Sequence, residues 1–345
     1  EPAKPRLASL PGFLLSVRRN LSRCTTMDSS LAREIIACLP QERTLFHYFK
    51  DRYAFYLLGR HCQQVEQAVV GELKKGAARG LLQKPAVQNF LASNGGKNLC
   101  GRQVQGYWPA EQGVAVETYR LSLGTWGDSG KHSYRSQQTT RKGVNLVLHL
   151  NFNSRHDSEF ENWTGVSQPQ AFNYWGHPVS ERCKNTLAWA RMDVDFDSNT
   201  VLIEEIQTDW IRRVDRATAF INRKKSSNEL IEIYGMQVRG NGVLSYQQHV
   251  LEVHRKVWAE AMMTASLWFI HEELGLKHVF YHTAETGAAL KNIAFAKPPV
   301  SMYRELPRKF GFESTEDGPN FVYSDTRARR RLKRLKRPTW NRLNV

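Results

Sequence analysis

The sequence has no apolar stretch of bilayer-spanning length, no Cys-x-x-Cys pair and no internal repeat. A transmembrane helix needs roughly 20 consecutive apolar residues, so the chain reads as soluble and cytoplasmic, with no membrane partner. Its five cysteines, Cys24, Cys38, Cys62, Cys100 and Cys183, are odd in number and scattered. None stands at zinc-ligand spacing from another cysteine or a histidine, which argues against a structural metal. Reduced thiols in a cytosolic compartment are the simplest account of them. Acid is scarce at both ends. Residues 327–345 carry nine Arg/Lys and no acid, and residues 1–26 carry five bases against one acid. The formal net charge of +16 therefore leaves only +3 for the rest of the chain, so the basic excess is local.

What the chain does have is a core. Its 345 residues are 41% hydrophobic and 11% aromatic, a globular composition with enough length to bury a sizeable interior. Four regions follow from the pattern. Residues 1–26 read as a disordered basic leader, with Met27 as the alternative start. Residues 27–100 read as helical, residues 101–325 as a mixed α/β domain, and residues 326–345 as a basic tail.

In the helical region, Ser29 or Ser30 caps a helix that Pro40 ends. Leu45–Leu58, Gln63–Leu73 and Val87–Leu91 continue in helical spacing. After Gly95-Gly96 the period changes to two. Val114–Leu123, Val144–Phe152, Leu187–Phe196 and Val201–Gln207 read as strands, the last two joined by the turn Asp197-Ser198-Asn199. Residues 212–242 show no clear period. Gln247–Leu274 is the longest amphipathic helix, stopped by Gly275. A strand at Lys277–Tyr281, helices near Ala288–Ile293 and Met302–Lys309, and a last strand at Asn320–Tyr323 complete the reading. Antiparallel strands that give way to a strand–helix–strand crossover predict an α+β fold: a mixed, mainly antiparallel sheet with flanking helices, preceded by an N-terminal helical region.

Three segments could carry chemistry. On a regular strand, Glu205, Gln207 and Asp209 share one face, while Glu204, Ile206 and Thr208 take the other. Burial would penalise such a polar face unless it is partnered, so Glu205 or Asp209 reads either as a general base or as half of a salt bridge to Arg212 or Arg213. His282-Thr-Ala-Glu-Thr-Gly287 follows a strand, where ligands bind in open α/β sheets. Thr283 or Thr286 there could cap a helix or help to seat an anion. Gln237-Val-Arg-Gly240-Asn-Gly242 has the short glycine pattern that cradles a pyrophosphate. His149, His156 and His177 are scattered and read as structural or surface residues. In the tail, Arg329, Arg330, Arg331, Lys333, Arg334, Lys336 and Arg337 form a basic run suited to phosphate backbones, with a solvated disordered tail as the alternative.

Two resemblances attach to these residues. Ile203–Trp210 resembles the Glu-Ile-Gln-Ser-Asp-Trp motif of domains in large phage and mobile-element polyvalent proteins and in uncharacterised bacterial proteins. The likeness extends over residues 30–325 through Asn145–Phe152, Thr186–Arg191, Trp258–Leu274, Val279–Gly287 and Ser301–Pro307. The element order from Val114 onward is similar to the GNAT acyltransferase fold, whose Tyr-x-x-x-Gly-Phe segment Tyr303 and Phe310-Gly311-Phe312 resemble. That second resemblance implies an acyl-CoA cofactor, with Gln237, Gly240, Gly242, Thr283 and Thr286 near it, and Glu205, Gln207, Asp209 and Tyr303 at the catalytic centre. Two departures stand out: Tyr303 lies a helical turn too far from Gly311, and the glycine pattern comes some thirty residues after its strand. A non-catalytic nucleic-acid-associated protein is the alternative. An enzyme acting on a nucleotide or phosphorylated substrate through Glu205 and Asp209 is another.

Overall fold

The computed structural model describes residues 27–38, 44–63, 67–76, 78–109, 113–127, 138–291 and 299–343. The basic leader expected over residues 1–26 lies outside them. The strands in chain order are β1 (Leu45–Tyr48), β2 (Ala68–Val69), β3 (Asn98–Leu99), β4 (Glu117–Trp126), β5 (Asn145–Asn151), β6 (Thr186–Asp195), β7 (Thr200–Gln207), β8 (Leu230–Ile233), β9 (Met236–Arg239), β10 (His278–His282), β11 (Phe312–Thr315) and β12 (Trp340–Leu343). Eight of them form one sheet in the order β1-β4-β5-β6-β7-β10-β12-β11, while β2/β3 and β8/β9 are separate two-stranded ribbons. Within the large sheet only β7 and β10 run parallel; the other neighbours are antiparallel. The fold is α+β, with a mixed, mainly antiparallel sheet and helices on it.

A parallel neighbour requires a crossover. Here it comprises the helix Trp210–Lys224, the β8/β9 ribbon and a long helical run. That run passes from Gly240–Tyr246 through a π-helical turn at Gln247–Leu251 into Glu252–Trp268, and ends in a second π-helical turn at Phe269–Glu273. Its Ala261, Met262, Ala265 and Leu267 share one core with Leu146, Leu148 and Leu150 of β5, Ala188, Ala190 and Met192 of β6, and Val201 and Ile203 of β7. Alternation then assigns the opposite sheet face to Asn145, His149 and Asn151 of β5 and to Arg191, Asp193 and Asp195 of β6. All of these polar residues are buried. One face of the sheet is thus greasy, and the other carries a covered polar layer between two smaller apolar clusters that include Val147 and Trp189 on one side and Leu202 and Phe280 on the other.

Trp210 closes the motif strand by anchoring the helix that follows. It is fully buried, its Nε1 donates to Tyr246 Oη at 2.8 Å, and its ring meets those of Phe152, Phe160 and Phe172. Buried aromatic packing with a satisfied N–H fixes where the preceding Asp209 sits.

Several expectations need correction. Leu45–Leu58 is not one helix. Leu45–Tyr48 is an edge strand whose Phe46 and Tyr48 point inward, and the helix starts at Arg52 after Asp51 takes a left-handed conformation (φ 67°). The N-terminal region carries the expected helices, Ser29–Cys38, Arg52–His61 and Pro85–Ser93 among them, and through β1 it also lends an edge strand to the sheet. Asn320–Tyr323 belongs to a short helix, Asn320–Ser324, that follows Pro319. The expected tail is structured: Thr326–Leu332 is a helix, and Trp340–Leu343 is a strand inserted between β10 and β11. No helix among the described residues is long and apolar enough to cross a membrane.

Candidate active site

The parallel pairing of β7 with β10 ends at Tyr281↔Ile203, while β7 continues four residues further against β6. Just past that point the β6/β7 register slips. Arg191 faces Glu205 and Met192 faces Ile203, so Glu204 is an extra residue in β7. A bulge of this kind re-aims side chains. Its consequence here is that Glu204 and Glu205 both turn toward Arg191, contrary to the strict alternation expected of them. Arg191 Nη2 donates to Glu205 Oε2 at 2.7 Å and lies 3.8 Å from Glu204 Oε2.

Lys291 completes this cluster from the end of the helix Ala284–Leu290. Its Nζ donates to the Glu204 carbonyl at 3.2 Å, to Glu205 Oε2 at 3.3 Å and to Tyr303 Oη at 3.0 Å. Three donors meet three acceptors, so the ammonium is satisfied although buried. Glu204 Oε1 accepts from the Thr140 amide at 2.8 Å and from Asn145 Nδ2 at 3.3 Å, while Oε2 has no hydrogen-bond partner. His282 sits beside them, its Nε2 2.9 Å from Thr140 Oγ1 and its Nδ1 3.2 Å from Thr286 Oγ1.

The electrostatics follow from burial and pairing. Burial alone would raise the Glu205 carboxyl, but Lys291 and Arg191 outweigh it and hold the group down to about 2. Burial lowers the Lys291 ammonium. Burial, followed by the charges of Lys291 and Arg191, pushes the His282 imidazole well below its ordinary value. Tyr303 is raised by burial and by Glu205. A carboxylate held this low is a poor proton acceptor near neutral pH, so Glu205 acts as the anion that stabilises Arg191 and Lys291.

The other two polar residues of the motif form a second cluster. Asp209, fully buried, accepts from His177 Nδ1 at 2.8 Å, from Gln207 Nε2 at 3.0 Å and from Arg212 Nη2 at 2.5 Å. Burial would raise its carboxyl, but His177 and Arg212 together hold it below the usual carboxylate range. An ionised Asp209 fixes the proton on His177 Nδ1 and leaves the Nε2 lone pair free, as a carboxylate partner does for a catalytic or metal-bound imidazole. His177 Nε2 has no hydrogen-bond partner among the described residues. The side chain is 27% exposed, and the ring lies 5.8 Å from that of Trp189 and 5.0 Å from that of Tyr174. Beside it Tyr174 and Trp175 are 42% and 78% exposed, an aromatic surface next to an oriented imidazole.

The structure thus joins Glu205 and Tyr303 through Lys291, and joins Gln207 and Asp209 through His177. The residues assigned to a cofactor behave differently. Gly240 N donates to the Glu229 carbonyl at 3.1 Å, and Asn241 N donates to the Ser227 carbonyl at 2.5 Å. A Cβ on Gly240 would lie 2.5 Å from Ser226 O, and one on Gly242 2.0 Å from Trp163 O. Gly240 and Gly242, which open the helix that follows β9, therefore admit neighbouring backbone, and amides that a pyrophosphate would need are already bonded. Thr283 and Thr286 form a reciprocal capping box and use each other's amides. These residues do not fit the phosphates of an acyl-CoA.

In the basic run, Arg329, Arg330, Lys333, Arg334, Lys336 and Arg337 are exposed, whereas Arg331 is half-buried and donates to the Leu290 carbonyl. Among the described residues no group of three or more His, Cys, Asp or Glu could hold a metal ion. Arg191 and Lys291 were given no role from the sequence, Glu204 and His282 were named only as members of their segments, and His177 was read as a structural or surface residue. Arg191 left a signal, being the one cation of β6 among its apolar residues and on the same face as Asp193 and Asp195; Lys291 and His177 left none, because only the fold brings them to the motif.

Compared with family models, curated proteins and solved structures, the chain matches none of them.

Proposed function

We propose that the chain is an enzyme in which His177, held by Asp209, acts as the general base that activates a hydroxyl, amine or water for group transfer. The observation that carries this reading is the 2.8 Å contact between His177 Nδ1 and a fully buried Asp209 carboxylate, with Nε2 open beside exposed aromatic rings. Gln207 steadies the same carboxylate, and the Tyr174/Trp175 surface offers a face on which a planar substrate can stack. GNAT-like acyl transfer is the form of the reaction favoured by the sheet order, in which antiparallel strands lead through a crossover to one parallel neighbour and the pair opens beyond Ile203. No step is assigned to acyl-CoA, since the residues expected to hold its pyrophosphate are otherwise bonded.

The test is hydrolysis of p-nitrophenyl acetate, run beside acetyl transfer from acetyl-CoA to small amines. General-base catalysis contributes about 10²–10⁴-fold, so His177→Asn should lower kcat/KM by that factor in whichever assay shows turnover. Asp209→Asn should lower it as well, by freeing the tautomer. A thermal-shift titration with acetyl-CoA, CoA and ATP runs in parallel. Turnover that survives His177→Asn intact would sink the reading, and a CoA-selective rise in Tm would return acyl-CoA to it.

A further inference from the structure

The region expected to be a basic tail is a built surface. Asp325 caps the helix Thr326–Leu332 by accepting from the Ala328 amide at 2.7 Å. Ala328 and Leu332 are buried in a cluster with Leu202, Phe280, Leu290 and Trp340, and Leu335 packs against it. The same helix sends Arg327 inward to the Thr139 carbonyl and hydroxyl at 3.1 and 2.8 Å, next to Thr140 of the candidate site. Fixed by these contacts, Arg329, Arg330, Lys333, Arg334, Lys336 and Arg337 are exposed. None of the six makes an ion pair with a described residue.

Holding six like charges along one short segment costs stability through repulsion, and residues 326–345 contain no acid to offset it. We infer that this ridge is a binding site for the phosphate backbone of a nucleic acid. Four of the six cations are arginines, whose planar forks match phosphate oxygens in a bidentate way. A membrane surface is disfavoured because the helix has no apolar face left to insert: Ala328, Leu332 and Leu335 are all turned to the protein. The inference is independent of the His177 chemistry.

Fluorescence anisotropy of the full chain with labelled single-stranded DNA, duplex DNA and RNA of mixed sequence tests it. Each neutralised phosphate contributes about −0.9 to the slope of log K against log salt on duplex DNA. Six contacts therefore predict a slope near −5 and a loss of about 10³-fold between 50 and 200 mM salt. The variant R329Q/R330Q/K333Q/R334Q should flatten the slope by about 4, and K336Q/R337Q, beyond the helix, by about 2. The control K74Q/R223Q/K224Q/K277Q removes four exposed charges elsewhere and should leave binding unchanged, with Tm showing that each variant is folded. Salt-insensitive or absent binding overturns the inference. So does equal binding by folded ridge variants, or a preference for phosphatidylserine vesicles or polyglutamate over every nucleic acid.

Discussion

Glu205 shows what each residue of the cluster contributes. It pairs with two buried cations at 2.7 and 3.3 Å, so removing its charge leaves Arg191 and Lys291 with only the more distant Glu204, 3.8 Å from Arg191. Breaking a buried ion pair by deleting one partner costs about 3–5 kcal/mol, and Glu205→Gln should lose that much stability in urea unfolding. Replacing charges with apolar groups of similar size behaves differently, because the desolvation cost disappears with the charge. A chain carrying Arg191→Met, Glu204→Gln, Glu205→Leu and Lys291→Met, which leaves no charge of the cluster unpaired, should therefore be more stable than Glu205→Gln alone. If Glu205→Gln is as stable as the parent, the cluster is wetter than its burial implies and Glu205 regains a place as a proton acceptor.

At the scale of elements, the glycines at the junction of β9 and the helix Gly240–Tyr246 separate packing from binding. A Cβ at Gly242 would lie 2.0 Å from the Trp163 carbonyl oxygen, and backbone on both sides cannot swing away as a side chain would. Gly242→Ala should cost about 1–3 kcal/mol or more through overpacking. Gly235→Ala, where the space is open and only the positive φ of 77° is strained, should cost roughly 1 kcal/mol. Thermal unfolding of the two variants checks the order; a Gly242→Ala protein as stable as the parent would mean that the junction is open enough for a ligand after all.

The same scale shows what the sequence made legible. β4 alternates between buried and half-buried residues, whereas β5 to β7 read as strands from short apolar runs because both of their faces are largely covered, and Asp197-Ser198-Asn199 marks the hairpin because Asn199 adopts a positive φ of 54°. The helix Trp210–Lys224 was hidden in a stretch dominated by polar residues, although its buried Trp210, Ile211, Val214, Ala217 and Ile221 keep helical spacing. β12 was hidden because a strand of two buried and two half-buried residues gains its place only from the neighbours on either side. Alternation marked the motif as polar but not how it divides: the bulge sends Glu204 and Glu205 together to Arg191, and Gln207 and Asp209 meet at His177 instead. Its partners were not readable: Arg191, His177 and Lys291 stand 14, 32 and 86 residues from the groups they bind, and a one-residue bulge at Glu204 is invisible without them.

For the whole molecule, the buried imidazoles set the response to acid. His149, His156, His254, His271 and His282 are buried, and burial is the leading cause that lowers each of them: His149 to about 4, His254 and His271 to about 3, and His156 and His282 in the same direction. Each stays neutral in the folded chain, whereas in the unfolded chain each takes a proton as pH falls through about 6.5. Folding is then favoured fully above that pH and loses up to about 1.4 kcal/mol per pH unit for each such residue as pH drops toward the folded values. Asp193 opposes this, since burial raises its carboxyl and lets the folded state take up a proton first. Burial raises the carboxyls of Asp51, Glu117 and Glu273 as well, but it also lowers His47 and His61, so four carboxyls against seven imidazoles leave the unfolded state ahead, and the +16 background adds repulsion in the same direction. Glu205 and Asp209, both held low, add their own loss only below about pH 4.5. Urea unfolding at pH 7.5, 6.5 and 5.5 should accordingly show stability falling well before those carboxylates titrate, and His254→Gln should shrink the fall by about one proton's worth. A flat profile from pH 7.5 to 5.5 would mean that the imidazoles reach water in the folded chain, and that the polar layer behind the sheet is open enough to admit a substrate directly.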